Sequence, residues 1–253
     1  MTAQTSESPT PRVAIVTGAG QGIGAAIAQR LAQDGLRVVI ADLNEETANA
    51  TAERIGEQAM GVRADITSSD DVAALVSHVL DTWGSIDVLV NNAGWDKVGP
   101  FLDSAPETWE RVIGINLMGT LTVSHAVMSV MKEQGSGTVI NIGSDAARVG
   151  STGEAVYSAC KGGLVAFSKT MARELARYGV TVNAVCPGPA DTPLFEEIGK
   201  ENPKLRESLE RAIPLRRLAQ PEDLANAVAF MASPRSNYIT GQTLSVSGGL
   251  TMI

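Results

Sequence analysis

Tyr157 and Lys161 stand four residues apart in Tyr157-Ser158-Ala159-Cys160-Lys161, and Ser144, in Asn141-Ile142-Gly143-Ser144, precedes Tyr157 by thirteen positions. On a helix, a spacing of four puts the phenol and the ammonium on one face. A phenol with a reference pKa of about 10 is a poor acid or base near neutrality. A neighbouring ammonium favours the phenolate and is expected to draw that pKa toward working pH. Ser144 is then expected to hold the oxygen being protonated or deprotonated. A tyrosine merely packed on a helix would need neither partner.

Such a group has to be positioned, and the rest of the chain supplies a repeating frame. Short β-branched runs alternate with helix-length amphipathic segments: Val13 to Val16 then Ile23 to Gln33, Val38 to Ile40 then Glu45 to Gly56, Gly61 to Ala64 then Asp70 to Trp83. Ile86 to Val90, Thr138 to Ile142 and Thr181 to Cys186 are further strands, separated by helices around Pro106 to Lys132 and Ala155 to Tyr178. Strand followed by helix, repeated, predicts an α/β fold with a doubly wound parallel sheet covered on both faces. The segment from Pro187 to Leu215, with five prolines among charged residues, breaks the rhythm and reads as a flap over a site at about 189–215. A helix from Pro221 to Ala232 and a strand near Leu244 to Val246 close a single domain over 12–253. Residues 1–11 read as a flexible tail.

After the first strand comes Thr17-Gly18-Ala19-Gly20-Gln21-Gly22-Ile23-Gly24. Glycines there allow a tight turn and let backbone N–H groups approach a pyrophosphate at the positive end of the next helix. Two glycine spacings fit this run, one on Gly20, Gly22 and Ala25 and the other on Gly18, Gly22 and Gly24. Gly18, Gln21, Gly22, Ile23 and Gly24 are the expected phosphate contacts. Asp42, with Leu43 behind it, closes the second strand, where an acid would accept hydrogen bonds from ribose hydroxyls and repel a 2'-phosphate. Neither Ala19 nor Gln21 offers a cation for that phosphate, so NAD is favoured over NADP. Asp42 as a simple helix-capping residue is the alternative. Asp65 and Ile66 are placed near the adenine edge. Asn91-Asn92-Ala93-Gly94 ends the fourth strand, where small residues let a cofactor pass close to the backbone and Asn91 either shapes the site or ties strand ends together.

Composition excludes other classes of partner. The chain has 253 residues, 44% of them hydrophobic, and a net charge of -8, which argues against nucleic acid or an anionic membrane and leaves a small molecule as the default partner. No stretch reaches the roughly 18 apolar residues of a membrane span, and residues 1–11 match no secretory signal. Two cysteines, Cys160 and Cys186, suit a reducing, cytoplasmic setting rather than a disulfide framework. His78 and His125 lie away from every motif, so no metal site is expected.

With the glycine loop, Asn91-Asn92-Ala93-Gly94, Asn116, Ser144, Tyr157, Lys161 and Pro187-Gly188 in order from about Arg12 onward, the chain resembles the short-chain dehydrogenase/reductases. The resemblance implies a seven-stranded Rossmann-type sheet, usually a homotetramer, and an alcohol–ketone conversion in which Tyr157 is the acid/base. It further implies that Lys161 holds the nicotinamide ribose, that Asn116 anchors a proton-passing water, that Pro187 and Gly188 wall the nicotinamide, and that Thr192 reaches its carboxamide or caps the flap helix. Within the family, Asn91 to Asp96, Ser144 to Gly150, Gly153 to Tyr157 and Ser245 to Thr251 resemble 2-hydroxycyclohexanecarboxyl-CoA dehydrogenases. Ser247 stands where other members often carry Asp. A CoA thioester would be bounded by Trp95, Ser144, Asp145, Arg148 and Glu154, with Arg148, Lys97, Lys200 and Lys204 as cations for its phosphates. Asp145 and Glu154 oppose such an anion unless they pair with Arg148. An enzyme for an uncharged alicyclic or aromatic alcohol or ketone, and a non-catalytic NAD-binding regulator, are the rival readings.

Overall fold

The structure, a computed structural model, describes residues 11–193, 195–196 and 204–253. The expected tail therefore lies outside the described residues up to position 10, as do Leu194 and the stretch 197–203 with Lys200. Among the described residues seven parallel strands form one sheet: β1 (Val13–Thr17), β2 (Arg37–Asp42), β3 (Ala59–Arg63), β4 (Val88–Asn91), β5 (Gly137–Ile142), β6 (Val180–Pro187) and β7 (Thr243–Val246), in the spatial order β3-β2-β1-β4-β5-β6-β7. The order reverses between β1 and β4, and a crevice at the carboxyl ends of strands flanking such a switch is where this architecture binds ligands.

The helices are α1 (Gly22–Gln33), α2 (Glu45–Ile55), α3 (Ser69–Trp83), α4 (Pro106–Ile113), α5 (Thr120–Gln134), a short α6 (Ala146–Val149), α7 (Ala155–Leu175), α8 (Leu205–Ala212) and α9 (Pro221–Ala232). The period of two along a strand sorts the core. Ala14, Val16, Val38 and Ile40 pack with α1 and α9 on one face, while Val13, Ile15, Val39 and Ala41 pack with α3 and α5 on the other. Burial on both faces explains why β1 and β2 read as continuous apolar runs instead of alternating ones. β3 begins two residues earlier than its apolar pattern predicts.

Two features of the sheet's far half position the site. Asn91 on β4 donates to Ser124 Oγ (2.9 Å) on α5 and to Asn141 Oδ1 (2.8 Å) on β5, and Asn141 donates to Ser168 Oγ (2.8 Å) on α7. This buried chain of amides and hydroxyls pins α7, which carries Tyr157 and Lys161, to the strand ends, so Asn91 acts as a tie. Between α4 and α5, a π turn over Gly114–Gly119 widens the helix at the fully buried Asn116.

With that turn, Pro106–Gln134 forms a 29-residue helical run apolar enough, by length and composition, to cross a membrane. The expectation that no such stretch exists is thus corrected. Here the run is a core helix, with Val123, Val127, Met128 and Met131 buried against the sheet.

Candidate active site

The glycine loop leaves β1 through Gly18 (φ 62°) and enters α1 after Gln21, whose side chain makes no capping bond. The first-turn N–H groups of α1 therefore open toward the crevice. Gly24 sets the closeness of the turn: a Cβ there would meet Gly18 O, Asn92 Nδ2 at 2.5 Å and Ala19 Cα at 2.9 Å. Asn92 in turn donates to Thr17 O (3.0 Å) and Gly18 O (2.9 Å), locking the end of β4 to the loop beside Ala93. Gly24→Ala is expected to cost about 1–3 kcal/mol through overpacking, lowering Tm by several degrees and weakening cofactor binding about tenfold or more. Thermal unfolding and a fluorescence titration with NADH check both effects.

Asp42 sits half-buried at the end of β2, its Oδ2 accepting from Gly20 N (2.8 Å) and its Oδ1 from Asn44 N (3.0 Å). It is thereby fixed beside the glycine loop, with Leu43 exposed next to it. Asp65 and Ile66 follow β3 at the carboxyl end of the sheet. The Asp65 carboxylate accepts from Thr67 N (2.9 Å) and Oγ1 (2.7 Å), while Ile66 is buried and packs on Gly119. Pro187 ends β6 and Gly188 follows it, Pro187 O accepting from Asp145 N (3.0 Å) and Gly188 N donating to Val246 O (3.1 Å). Thr192 Oγ1 accepts from Phe195 N at 3.2 Å, the capping geometry, and its Cβ lies 3.9 Å from where a Gly22 side chain would start. It caps the flap's first turn and faces the glycine loop at once.

Ser144, Tyr157 and Lys161 converge at the carboxyl end of β5. Lys161 Nζ is buried and donates to Ile142 O at 2.8 Å, lying 5.6 Å from the centre of the Tyr157 ring. Ser144 accepts from Ala146 N (3.1 Å), and its hydroxyl lies close enough to the Tyr157 oxygen to pull the phenol's pKa down. Asn116 closes the group from the π turn, its side-chain amide accepting from Trp95 N (3.3 Å) and donating to Trp95 O (2.5 Å) and Val112 O (2.9 Å).

The electrostatics correct one expectation. The protein pushes the Tyr157 phenol above its ordinary value, first by burial and then through the Glu154 and Asp96 carboxylates, with the Ser144 hydrogen bond pulling the other way. Burial lowers the pKa of Lys161 to about 8, and its ammonium, 5.6 Å from the ring centre, does not outweigh the burial of the phenol. At pH 7 the pair is thus a neutral phenol and a charged ammonium, an arrangement suited to proton donation.

The substrate side is brought together only in part. Trp95 lies under Arg111, with the guanidinium 3.9 Å from the ring centre. Asp145, expected to bound the substrate, is buried instead, with Ser245 Oγ 2.8 Å from both carboxylate oxygens and Ser247 3.0 Å beyond. One residue past Ser144 the chain points its side chain down toward β7. Among the described residues Arg148 forms no ion pair, so neither Asp145 nor Glu154 is neutralised by it. Also among the described residues, no group of three or more metal-ligating side chains gathers.

Sequence reasoning missed Asp96 as a site residue. Burial and Glu154 raise its pKa to about 6. A raised carboxyl pKa means the folded state binds the proton more tightly, so stability falls as pH rises through about 6. Asp96→Asn removes that loss. After allowance for partial exposure, it is expected to stabilise the protein by about 1 kcal/mol at pH 8 relative to pH 4, roughly 2–4 °C in Tm, read by thermal unfolding at the two pH values.

The fold agrees with that of known proteins. The family model described as "Enoyl-(Acyl carrier protein) reductase" (adh_short_C2) matches residues 18–251. The chain is 38% identical over 242 residues to the 3-oxoacyl-[acyl-carrier-protein] reductase FabG of Vibrio cholerae, covering 96% of this chain and 98% of that one. The crystal structure of 3-ketoacyl-(acyl-carrier-protein) reductase from Brucella melitensis complexed with NADH superposes with a TM-score of 0.91 at 35% identity, covering 97% and 100% of the two chains. A variant of actinorhodin polyketide ketoreductase with NADPH gives 0.91 at 38%, covering 95% and 97%. These relatives are named for oxoacyl carrier-protein or polyketide substrates, not for a cyclic acyl-CoA. A glycine cradle at the switch point and a serine, tyrosine and lysine gathered at the end of β5, matched along nearly the whole chain, make this protein a member of the short-chain dehydrogenase/reductase family and an oxidoreductase of that class.

Proposed function

We propose that the protein uses NAD(H) to interconvert a 3-oxoacyl thioester, linear or cyclic, with the corresponding hydroxyacyl thioester. The observation that carries this is the convergence of Ser144, Tyr157 and Lys161 beside the glycine cradle. The loop suits a dinucleotide, since Gly24 lets it fold tightly against Asn92 at the start of α1 and the N-terminus of α1 lacks a side-chain cap for its free N–H groups. Asp42 supports NAD over NADP, because a fixed carboxylate accepts ribose hydroxyls and repels a 2'-phosphate. The relatives' named substrates support the thioester.

When bound, the nicotinamide supplies or accepts the hydride. In reduction, the Tyr157 phenol gives its proton to the ketone oxygen, which becomes the alcohol, while Ser144 donates a hydrogen bond to that oxygen. Lys161 keeps a buried positive charge near the phenolate left behind and would hold the nicotinamide ribose. Asn116, fixed by Trp95 and Val112, is placed to order a water that returns a proton from solvent. Oxidation reverses each step. Arg148, Lys97 and Lys204 are the described cations for the thioester's phosphates.

A second reading, an uncharged alicyclic or aromatic ketone, is favoured by the acidic pair Asp96 and Glu154 beside Tyr157. NADH consumption with acetoacetyl-CoA, 2-oxocyclohexanecarboxyl-CoA, a 3-oxoacyl carrier protein and cyclohexanone separates the two. A thioester is expected to exceed cyclohexanone in kcat/KM by at least about tenfold through binding energy remote from the carbonyl. A preference for cyclohexanone would overturn the thioester assignment. A cytoplasmic homotetramer suits this reading, and exposed Ile113, Met118, Leu244 and Met252 offer apolar contact surface.

A further inference from the structure

Asp145 directly follows Ser144, and its backbone and side chain grip different parts of the molecule. The backbone N–H donates to Pro187 O at 3.0 Å. The carboxylate is buried, with both oxygens 2.8 Å from Ser245 Oγ on β7. Among the described residues it has no ion-pair partner, so hydrogen bonds hold a group that is costly to bury. The Ser245 hydroxyl has a single proton to give. With that proton on Asp145, the hydroxyl of Ser247, 3.0 Å away, completes the chain by donating to Ser245 Oγ. Ser247 Oγ accepts in turn from Thr251 N at 3.2 Å, and Ser247 and Thr251 are both buried.

This chain of hydrogen bonds begins where the sheet's own ladder stops. The β5–β6 register ends at Ile142 and Val185, and the β6–β7 register at Pro187 and Val246. Beyond those pairs, Gly188 lies directly against Ser247: a Cβ on Gly188 would come within 2.7 Å of Ser247 Cβ and 2.9 Å of Ser247 Cα. The turn after β7 is held from its other side by Leu215, at the end of the flap, whose N donates to Gly248 O at 3.1 Å. Pro187 and Gly188 are therefore clamped between Asp145 N and Ser247, and the Asp145 side chain fixes the second jaw as its backbone forms the first.

We propose that Asp145 is a positioning residue, acting through Ser245 and Ser247 to hold Pro187 and Gly188 against the nicotinamide ring, so that it governs the fit of the reacting ring and not that of the rest of the dinucleotide. This rests on the reading of the crevice as an NAD(H) site with Pro187 and Gly188 along the nicotinamide. A fully satisfied buried polar chain is suited to the task, because directional hydrogen bonds hold a backbone in one place where apolar packing tolerates sliding.

Equilibrium binding of NADH and of ADP-ribose, which lacks the nicotinamide, tests this on Asp145→Ala. NADH is expected to bind about tenfold more weakly, and ADP-ribose within about twofold of wild type, because only the ring loses its wall. Turnover of acetoacetyl-CoA should fall by about tenfold to 10²-fold, the effect of slightly misplacing a reacting group. Asp145→Asn keeps an oxygen to accept from Ser245 and should return binding and turnover to within about threefold of wild type. If Asp145→Ala does not fold, Ser247→Ala, which leaves the bond between Asp145 and Ser245 in place, is expected to show the same selective loss of NADH. Equal weakening of NADH and ADP-ribose, no weakening of either, or an Asp145→Asn protein as impaired as Asp145→Ala would overturn the proposal and leave the cofactor site standing. Wild-type protein that binds neither ligand would sink the NAD(H) reading, and this proposal with it.

Discussion

Replacing Asp42 with alanine and Leu43 with arginine is expected to lower the ratio of kcat/KM for NADH over NADPH by about 10²-fold or more. The wild-type carboxylate is held at the end of β2 by Gly20 N and Asn44 N. A phosphate on the neighbouring ribose hydroxyl would meet it as a like charge, a juxtaposition worth several kcal/mol. Removing the carboxylate lifts that repulsion, and an arginine at the exposed Leu43 position adds a fork-shaped partner for the phosphate. The substitution also leaves Gly20 N without its acceptor, so stability should fall by about 1 kcal/mol. Initial rates with both cofactors at one saturating ketone measure the ratio. An unchanged ratio would mean that Asp42 only ties the loop and that cofactor choice lies elsewhere.

Tyr157→Phe is expected to reduce turnover by about 10²- to 10⁴-fold, the usual worth of a positioned general acid, with cofactor affinity altered by less than about threefold. The ring stays, so its packing on α7 and the Lys161 hydrogen bond to Ile142 O are kept. Only the oxygen facing Ser144 is lost. Because the surroundings hold the phenol protonated well above neutrality, wild-type reduction should be insensitive to Tyr157 ionisation from pH 6 to 8. Steady-state kinetics and NADH fluorescence titration separate the loss of chemistry from a loss of binding.

The strand–helix alternation, the glycine loop and the Tyr157–Lys161 spacing were all legible in the sequence, because each rests on local periodicity or on a spacing within one turn. What escaped depends on contacts across the chain. Asn91, Ser124, Asn141 and Ser168 look like isolated polar residues in apolar elements, and only the parallel register of β4 and β5 makes them one buried network. Asp145 looked like a pocket residue through its neighbour Ser144, yet adjacent side chains point apart and Ser245 receives it. Asp96 was passed over because its character comes from burial and from Glu154 on another loop. The sign of the Tyr157 shift was misjudged for the same reason. Spacing places Lys161 near the phenol, but it reveals neither the two carboxylates nor the Ile142 carbonyl that takes the ammonium.

Stopped-flow single turnover of NADH with a 3-oxoacyl thioester, following nicotinamide absorbance and a pH indicator together, tests most directly whether Tyr157 delivers the proton that accompanies the hydride. The wild type should consume one proton per NADH oxidised, and Tyr157→Phe should bind NADH but lose the absorbance change and the proton uptake together. Hydride transfer in Tyr157→Phe at more than about a tenth of the wild-type rate would contradict the assignment of Tyr157 as the proton donor.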